Sequence, residues 1–154
     1  HIYDIDPAVP GKLEIPSLKI SVPLIWTKDI KNFDADLTKG VVHFPGTALP
    51  GDIGNAYISG HSSGTVFSKN PYRQIFAKLD QLKDLASVDV TITLKNKKTV
   101  TLHYIVQSRK EYKPNDQEQF QNTGESILSL STCYPVDTTA RRLVVKAKLS
   151  QASQ

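Results

Sequence analysis

Residues 87–106 read SVDVTITLKNKKTVTLHYIV, and their pattern decides the fold class. Val88, Val90, Ile92 and Leu94 alternate with Asp89, Thr91 and Thr93, and Val100, Leu102, Tyr104 and Val106 alternate with Thr101 and His103. A period of two puts one set of side chains on an apolar face and the other toward solvent. Lys95, Asn96, Lys97 and Lys98 separate the two runs, so the stretch predicts a β-hairpin turning near Asn96. With no aromatic residue among them, these lysines read as a solvated hairpin tip rather than a nucleic-acid or other polyanion site.

The same short alternations recur on both sides of the hairpin. Upstream, Leu13, Ile15, Ile20, Val22, Leu24 and Trp26 are strand-like, with Pro16 and Pro23 keeping the strands short. Residues 41–44 and 56–61 extend as further strands, and two more are predicted around 127–132 and 142–149. Two short helices interrupt them. One covers about 32–39 and stops at Gly40. The other is capped by Asn70, opens with Pro71, and sets Tyr72, Ile75, Phe76, Leu79 and Leu82 on one face. Residues 111–126 form a long polar connection of the kind that carries a substrate loop. The chain is therefore mainly β, with many short strands and two short helices, which suggests a closed β-barrel or a sandwich. Residues 1–11 read as an N-terminal arm or linker, 12–150 as the domain, and 151–154 as a C-terminal tail.

Composition narrows the class. The 154 residues suit one domain with a sizeable core, and 39% hydrophobic with 22% charged residues is globular composition. No apolar run approaches the roughly 20 residues of a membrane span. With no Met in the chain, the sequence reads as a piece of a longer protein, and an upstream anchor is compatible with it. The net charge of +4 is modest. The single cysteine, Cys133, excludes an internal disulfide and a cysteine-built zinc site. It is either an inert packed thiol or a reactive one.

Strand alternation bears on that choice. Leu128, Leu130 and Thr132 share one face, and Ser129, Ser131 and Cys133 share the other. Leu143, Val145, Ala147 and Leu149 form an apolar face, opposite Arg142, Val144, Lys146 and Lys148. Tyr57, Ser59 and His61 lie opposite Ala56 and Ile58. Cys133, His61 and Arg142 thus each project from the more polar side of a strand end. Their chemistry is complementary. Cations lower a thiol's pKa, an imidazole moves protons to and from amines, and a guanidinium offers fixed donors to an oxyanion.

The local text is more specific than the residue types. Ser129-Leu130-Ser131-Thr132-Cys133 resembles the TLxTC signature of sortases, and Arg142-Leu143-Val144-Val145 resembles the arginine-led strand that follows it. Ile58-Ser59-Gly60-His61 resembles the strand ending in the sortase histidine. Phe44-Pro45-Gly46-Thr47, Gly54-Asn55, the Phe76, Leu79, Leu82 segment and the opening Leu13-Glu14-Ile15-Pro16-Ser17-Leu18 match in the same order. The likeness spans nearly the whole chain and is nearest the shorter classes, C, D or E, without fixing one.

The resemblance implies a closed sortase-type barrel of about eight strands. It implies that Cys133 is the nucleophile toward the Thr–Gly bond of an LPxTG-like signal, His61 the general acid and base, and Arg142 the oxyanion support. Thr132 and Ser131 would line the site, and Asp137 in the loop before the arginine is a candidate substrate contact. The implied partners are a sorting-signal peptide of an exported protein and a primary amine of cell wall or pilin, with no nucleic acid and no cofactor. The implied location is the outer face of a bacterial membrane, with the full-length protein tethered there.

Ser129 stands where the family usually has Thr, and Ala86-Ser87 where it often has Gly-Asp. Adjacent Arg141 and Arg142 leave the arginine open, although the face argument favours Arg142. Two other readings remain beside the transpeptidase, a cysteine peptidase that uses water and a non-catalytic peptide-binding barrel. His43, His103 and Trp26 read as structural, and Asp52, Asp80, Asp84 and Asp89 lack calcium-loop spacing.

Overall fold

The computed structural model describes residues 1–63 and 69–154. Its strands are β1 (Gly11–Ile15), β2 (Ile20–Trp26), β3 (Val41–His43), β4 (Gly54–Ser59), β5 (Ser87–Thr93), β6 (Thr99–Tyr112), β7 (Ser126–Tyr134) and β8 (Arg141–Ser153). They close into a barrel in the order β1-β2-β3-β4-β7-β8-β6-β5. β2–β3 and β4–β7 are parallel, and the remaining neighbours are antiparallel. The hairpin read from residues 87–106 is present, with Val90 opposite Leu102 and Ile92 opposite Val100.

The inward positions fill the barrel. Leu13, Ile15, Leu24, Val88, Val90, Ile92, Leu102, Tyr104, Leu128, Leu130, Val145 and Ala147 are fully buried in one cluster. Burying each large aliphatic side chain contributes about 1.5–3 kcal/mol, so closure rests on this interior.

The first expected helix is short, with α1 covering Phe33–Asp36. Gly40 serves close packing more than capping, because a Cβ there would collide with the Pro23 carbonyl oxygen. The second expected helix is a correction. Residues 71–78 form successive turns, and Leu79–Gln81 is a single 3-10 turn. The bonds from Ile75 N to Tyr72 O, Ala77 N to Gln74 O and Leu79 N to Phe76 O all reach back three residues. Phe76, Leu79 and Leu82 recur every three, which fits three residues per turn as well as it fits an α-helix. All three are buried against the barrel core, as their apolar character demands.

Both chain ends are more engaged than an arm and a tail. Ile5 bridges to Leu94 and is 8% exposed, and Trp26 Nε1 donates to Val9 O at 3.1 Å. β8 continues through Ser153, which pairs with Thr101, so residues 151–153 belong to the wall. No helix among the described residues is long and apolar enough to cross a membrane.

Candidate active site

The parallel β4–β7 pair brings two sequence-distant segments to one end of the barrel. Ser59, the last residue of β4, pairs with Ser131. Two residues past the end of β4 comes His61, and two residues past Ser131 comes Cys133. Across the next ladder, Cys133 pairs directly with Arg142. Thiol and guanidinium therefore start from paired positions of the β7–β8 ladder, about 5 Å apart at Cα, and the imidazole from the segment just past the end of β4. Side chains on one face of such a pair meet. His61, Cys133, Arg142, Ser131 and Thr132 all line one cavity of about 200 Å³, with Phe33, Asp34 and Leu37 from the α1 segment along another wall.

Hydrogen bonds fix these segments. Gly60 N donates to Ser131 O at 3.0 Å, and Thr132 Oγ1 donates to Gly60 O at 2.7 Å. Phe76 N donates to His61 O at 2.9 Å, and Ser62 Oγ donates to Cys133 O at 2.7 Å. The backbones on either side of the histidine and the cysteine are thus tied to each other. Cys133 itself is half-buried and unpaired with another sulfur.

Arg142 and Arg141 have different settings. Arg141 forms an ion pair with Glu111 at 3.5 Å. Among the described residues no carboxylate pairs with Arg142, whose one bond runs to Arg141 O at 3.3 Å, and its guanidinium borders the cavity. Arg142 thus has donors to spare. Asp137 lies on the exposed β7–β8 loop, at a φ of 69°, and does not line the cavity.

Tyr57 and Gln119, to which the sequence reading gave no role, lie behind Ser131, with the Tyr57 hydroxyl 2.6 Å from Ser131 Oγ and 2.6 Å from Gln119 Oε1. Burial pushes the Tyr57 hydroxyl up to about 12, opposed by its Ser131 hydrogen bond and by the Arg142 charge. It remains neutral throughout the range in which a cysteine and a histidine titrate. The histidines set aside as structural are engaged elsewhere. His43 is buried, with Nε2 2.7 Å from Ala48 O, and His103 Nδ1 lies 2.8 Å from Asp89 Oδ1. A second cavity, of about 440 Å³, lies beneath the N-terminal arm among Tyr3, Pro7, Trp26 and His43, and holds no cysteine. No group of three or more His, Cys, Asp or Glu among the described residues has metal-binding geometry.

The fold and the site are those of a closed eight-stranded barrel with a cysteine, a histidine and an arginine lining one cavity. The sequence matches the sortase domain model over residues 13–150, and the chain belongs to the sortase family. Sortases are cysteine transpeptidases, and this chain is an enzyme of that kind. No curated protein sequence matches it. Among solved structures, sortase C-1 from Actinomyces oris is 29% identical with a TM-score of 0.76, covering 96% of this chain and 77% of that one. Sortase C-3 from Streptococcus pneumoniae is also 29% identical with a TM-score of 0.76, covering 97% of this chain and 66% of that one. Sortase C from Clostridium perfringens SM101 is 26% identical with a TM-score of 0.72, covering 96% of this chain and 73% of that one.

Proposed function

We propose that this sortase cleaves an LPxTG-like sorting signal between Thr and Gly and joins the new acyl end to a primary amine of cell wall or pilin. The observation that supports this most is the placement of Cys133, His61 and Arg142 along one cavity, held by hydrogen bonds between the segments that carry them.

In the first half-reaction the Cys133 thiolate attacks the Thr carbonyl carbon. The C–N bond breaks, the glycine amine leaves with a proton from His61, and a thioacyl enzyme remains. In the second, a primary amine attacks the thioester carbonyl and gives a proton to His61. The amide forms and the thiolate departs. Arg142, which no carboxylate pairs with among the described residues, presents N–H donors to the oxyanion that develops in both halves. Thr132 and Ser131 line the groove in which the signal lies. Asp137 is assigned no chemical step. The work is done at the outer face of a bacterial membrane, with the whole protein tethered there.

The test is incubation with an LPxTG-like peptide, with and without an added primary amine, and mass analysis of the products. The expected product with amine is the joined peptide, and Cys133→Ala yields none. Hydrolysis alone in the presence of excess amine would point to a peptidase, and a fully active Cys133→Ala would end the thiol mechanism.

A further inference from the structure

The cavity that holds the thiol has one acidic side chain on its wall. Among the described residues that line it, Asp34 alone carries a carboxylate, and it shares the cavity with Arg142 and His61. The charged groups nearest to it in the chain are engaged elsewhere. Asp36 is buried, accepts a hydrogen bond from Thr27 Oγ1 at 2.8 Å and pairs with Lys39 at 3.2 Å. Lys31 pairs with Asp29 at 4.0 Å. Asp34 itself is exposed, and among the described residues no cation, Arg142 included, lies within ion-pair distance of it.

The segment that carries Asp34 is fixed. Phe33 packs edge-on against Phe44 with ring centroids 5.5 Å apart. Leu37 N donates to Phe33 O at 3.0 Å, and Asn70 Nδ2 donates to Leu37 O at 3.3 Å. Asp36 and Leu37 thus anchor α1 to the rest of the domain, and Asp34 is left on the cavity side with its charge unmatched.

The two substrates of the reaction differ in charge at the reacting end. The Thr–Gly bond of the signal is neutral, whereas a primary amine is an ammonium ion at neutral pH. We propose that Asp34 is a specificity-determining residue for the acceptor: its carboxylate holds the positive charge of the amine nitrogen beside the thioacyl enzyme and so selects amine over water. This rests on the reading of the protein as a transpeptidase.

The acceptor ammonium sheds one proton to water before its nitrogen can attack. As the nitrogen bonds to the thioester carbonyl carbon it regains a positive charge, and the carbonyl oxygen becomes an oxyanion. His61 then takes a proton from the nitrogen, the C–S bond breaks, the amide forms and Cys133 leaves as the thiolate. Asp34 stabilises the nitrogen's charge on arrival and after attack, as Arg142 stabilises the oxyanion. Water arrives uncharged and loses its proton to His61 as it attacks, so the carboxylate does less for it.

Both nucleophiles compete for one thioacyl enzyme. The ratio of joined to hydrolysed peptide therefore reports on this step and not on acylation. The test measures that ratio at neutral pH with an LPxTG-like peptide and a fixed, subsaturating concentration of glycinamide or Nα-acetyl-lysine amide. Asp34→Asn is expected to lower the ratio about fivefold, the equivalent of one exposed ion pair. Asp34→Glu keeps the charge and is expected to stay within about twofold of wild type. Raising salt from about 0.05 M to about 0.5 M is expected to lower the wild-type ratio severalfold and to leave that of Asp34→Asn nearly level. An unchanged ratio in Asp34→Asn overturns the inference. So does an Asp34→Glu as impaired as Asp34→Asn, since shape and not charge would then matter. So does a wild-type ratio indifferent to salt, which decides alone if Asp34→Asn fails to fold. Hydrolysis alone from wild type with either amine looks different, and would end the transpeptidase reading on which the inference rests.

Discussion

Gly60 lies between the last residue of β4 and His61, and replacing it by alanine perturbs the site without touching a reacting group. A Cβ at residue 60 would sit 2.7 Å and 2.9 Å from two ring carbons of Phe76 and 3.0 Å from Val41 Cγ1. Carbon atoms at ease are about 3.5–4.0 Å apart, so the overlap is roughly 0.5–1 Å. Phe76 is 1% exposed and Val41 0%, which leaves neither room to retreat. Phe76 N also donates to His61 O, so a shift of Phe76 carries the histidine with it. Overpacking of this kind costs about 1–3 kcal/mol. At this chain length each kcal/mol lowers Tm by about 2–4 °C, which gives a fall of about 2–12 °C. A general acid and base misplaced by about 1 Å costs about a hundredfold in rate. Gly60→Ala is therefore expected to melt lower yet remain folded below its transition, and to join peptide to amine about a hundredfold more slowly. Pairing it with Phe76→Leu, which opens space beside residue 60, is expected to restore part of the rate. A Gly60→Ala protein with a lowered Tm and full activity would show that the His61 position does not govern catalysis. Parental values for both would refute the packing argument itself.

Arg142→Lys keeps the charge and loses the planar fork, so kcat/KM is expected to fall at least tenfold with Tm within about 2 °C, whereas Arg141→Lys, at an exposed ion pair, is expected to change the rate less than twofold. Burial holds the His43 imidazole below its usual pKa, so the unfolded chain binds the extra proton first. Stability is then complete above about pH 6.5 and declines as pH falls toward the lowered folded value, with a slope of at most about 1.4 kcal/mol per pH unit. Denaturant melts of wild type and His43→Gln between pH 5 and 8 check this, the variant losing that part of the slope.

The parts of the fold that the sequence disclosed are those in which one face of an element is apolar and the other is wet. Residues 87–106 alternate cleanly, and they form the hairpin. The Cys133 and Arg142 strands also read in register, because Leu128 and Leu130 on one, and Leu143 and Val145 on the other, leave little choice of face. Alternation says nothing about polar faces that are covered. Tyr57, Ser129 and Ser131 were assigned to the more polar sides of their strands, yet the β6–β7 segment buries them. Gln119 in a polar connection gave no sign that it was the buried centre of a network. The segment around Phe76, Leu79 and Leu82 was misread because a spacing of three suits two kinds of turn, and both bury the same three residues in the core cluster. The final strand residues, Gln151 to Ser153, carry no large apolar side chain, and only the pairing offered by β6 extends them.

The central claim is that Cys133 carries an acyl group during turnover. Mixing the enzyme with an LPxTG-like peptide in the absence of amine, quenching in acid and measuring intact mass tests it directly. The predicted result is a mass gain equal to the peptide cut after Thr, located on Cys133 and discharged when a primary amine is added before the quench. Peptide turnover with no adduct on Cys133 at any quench time, or an adduct that persists undiminished in amine, would contradict it.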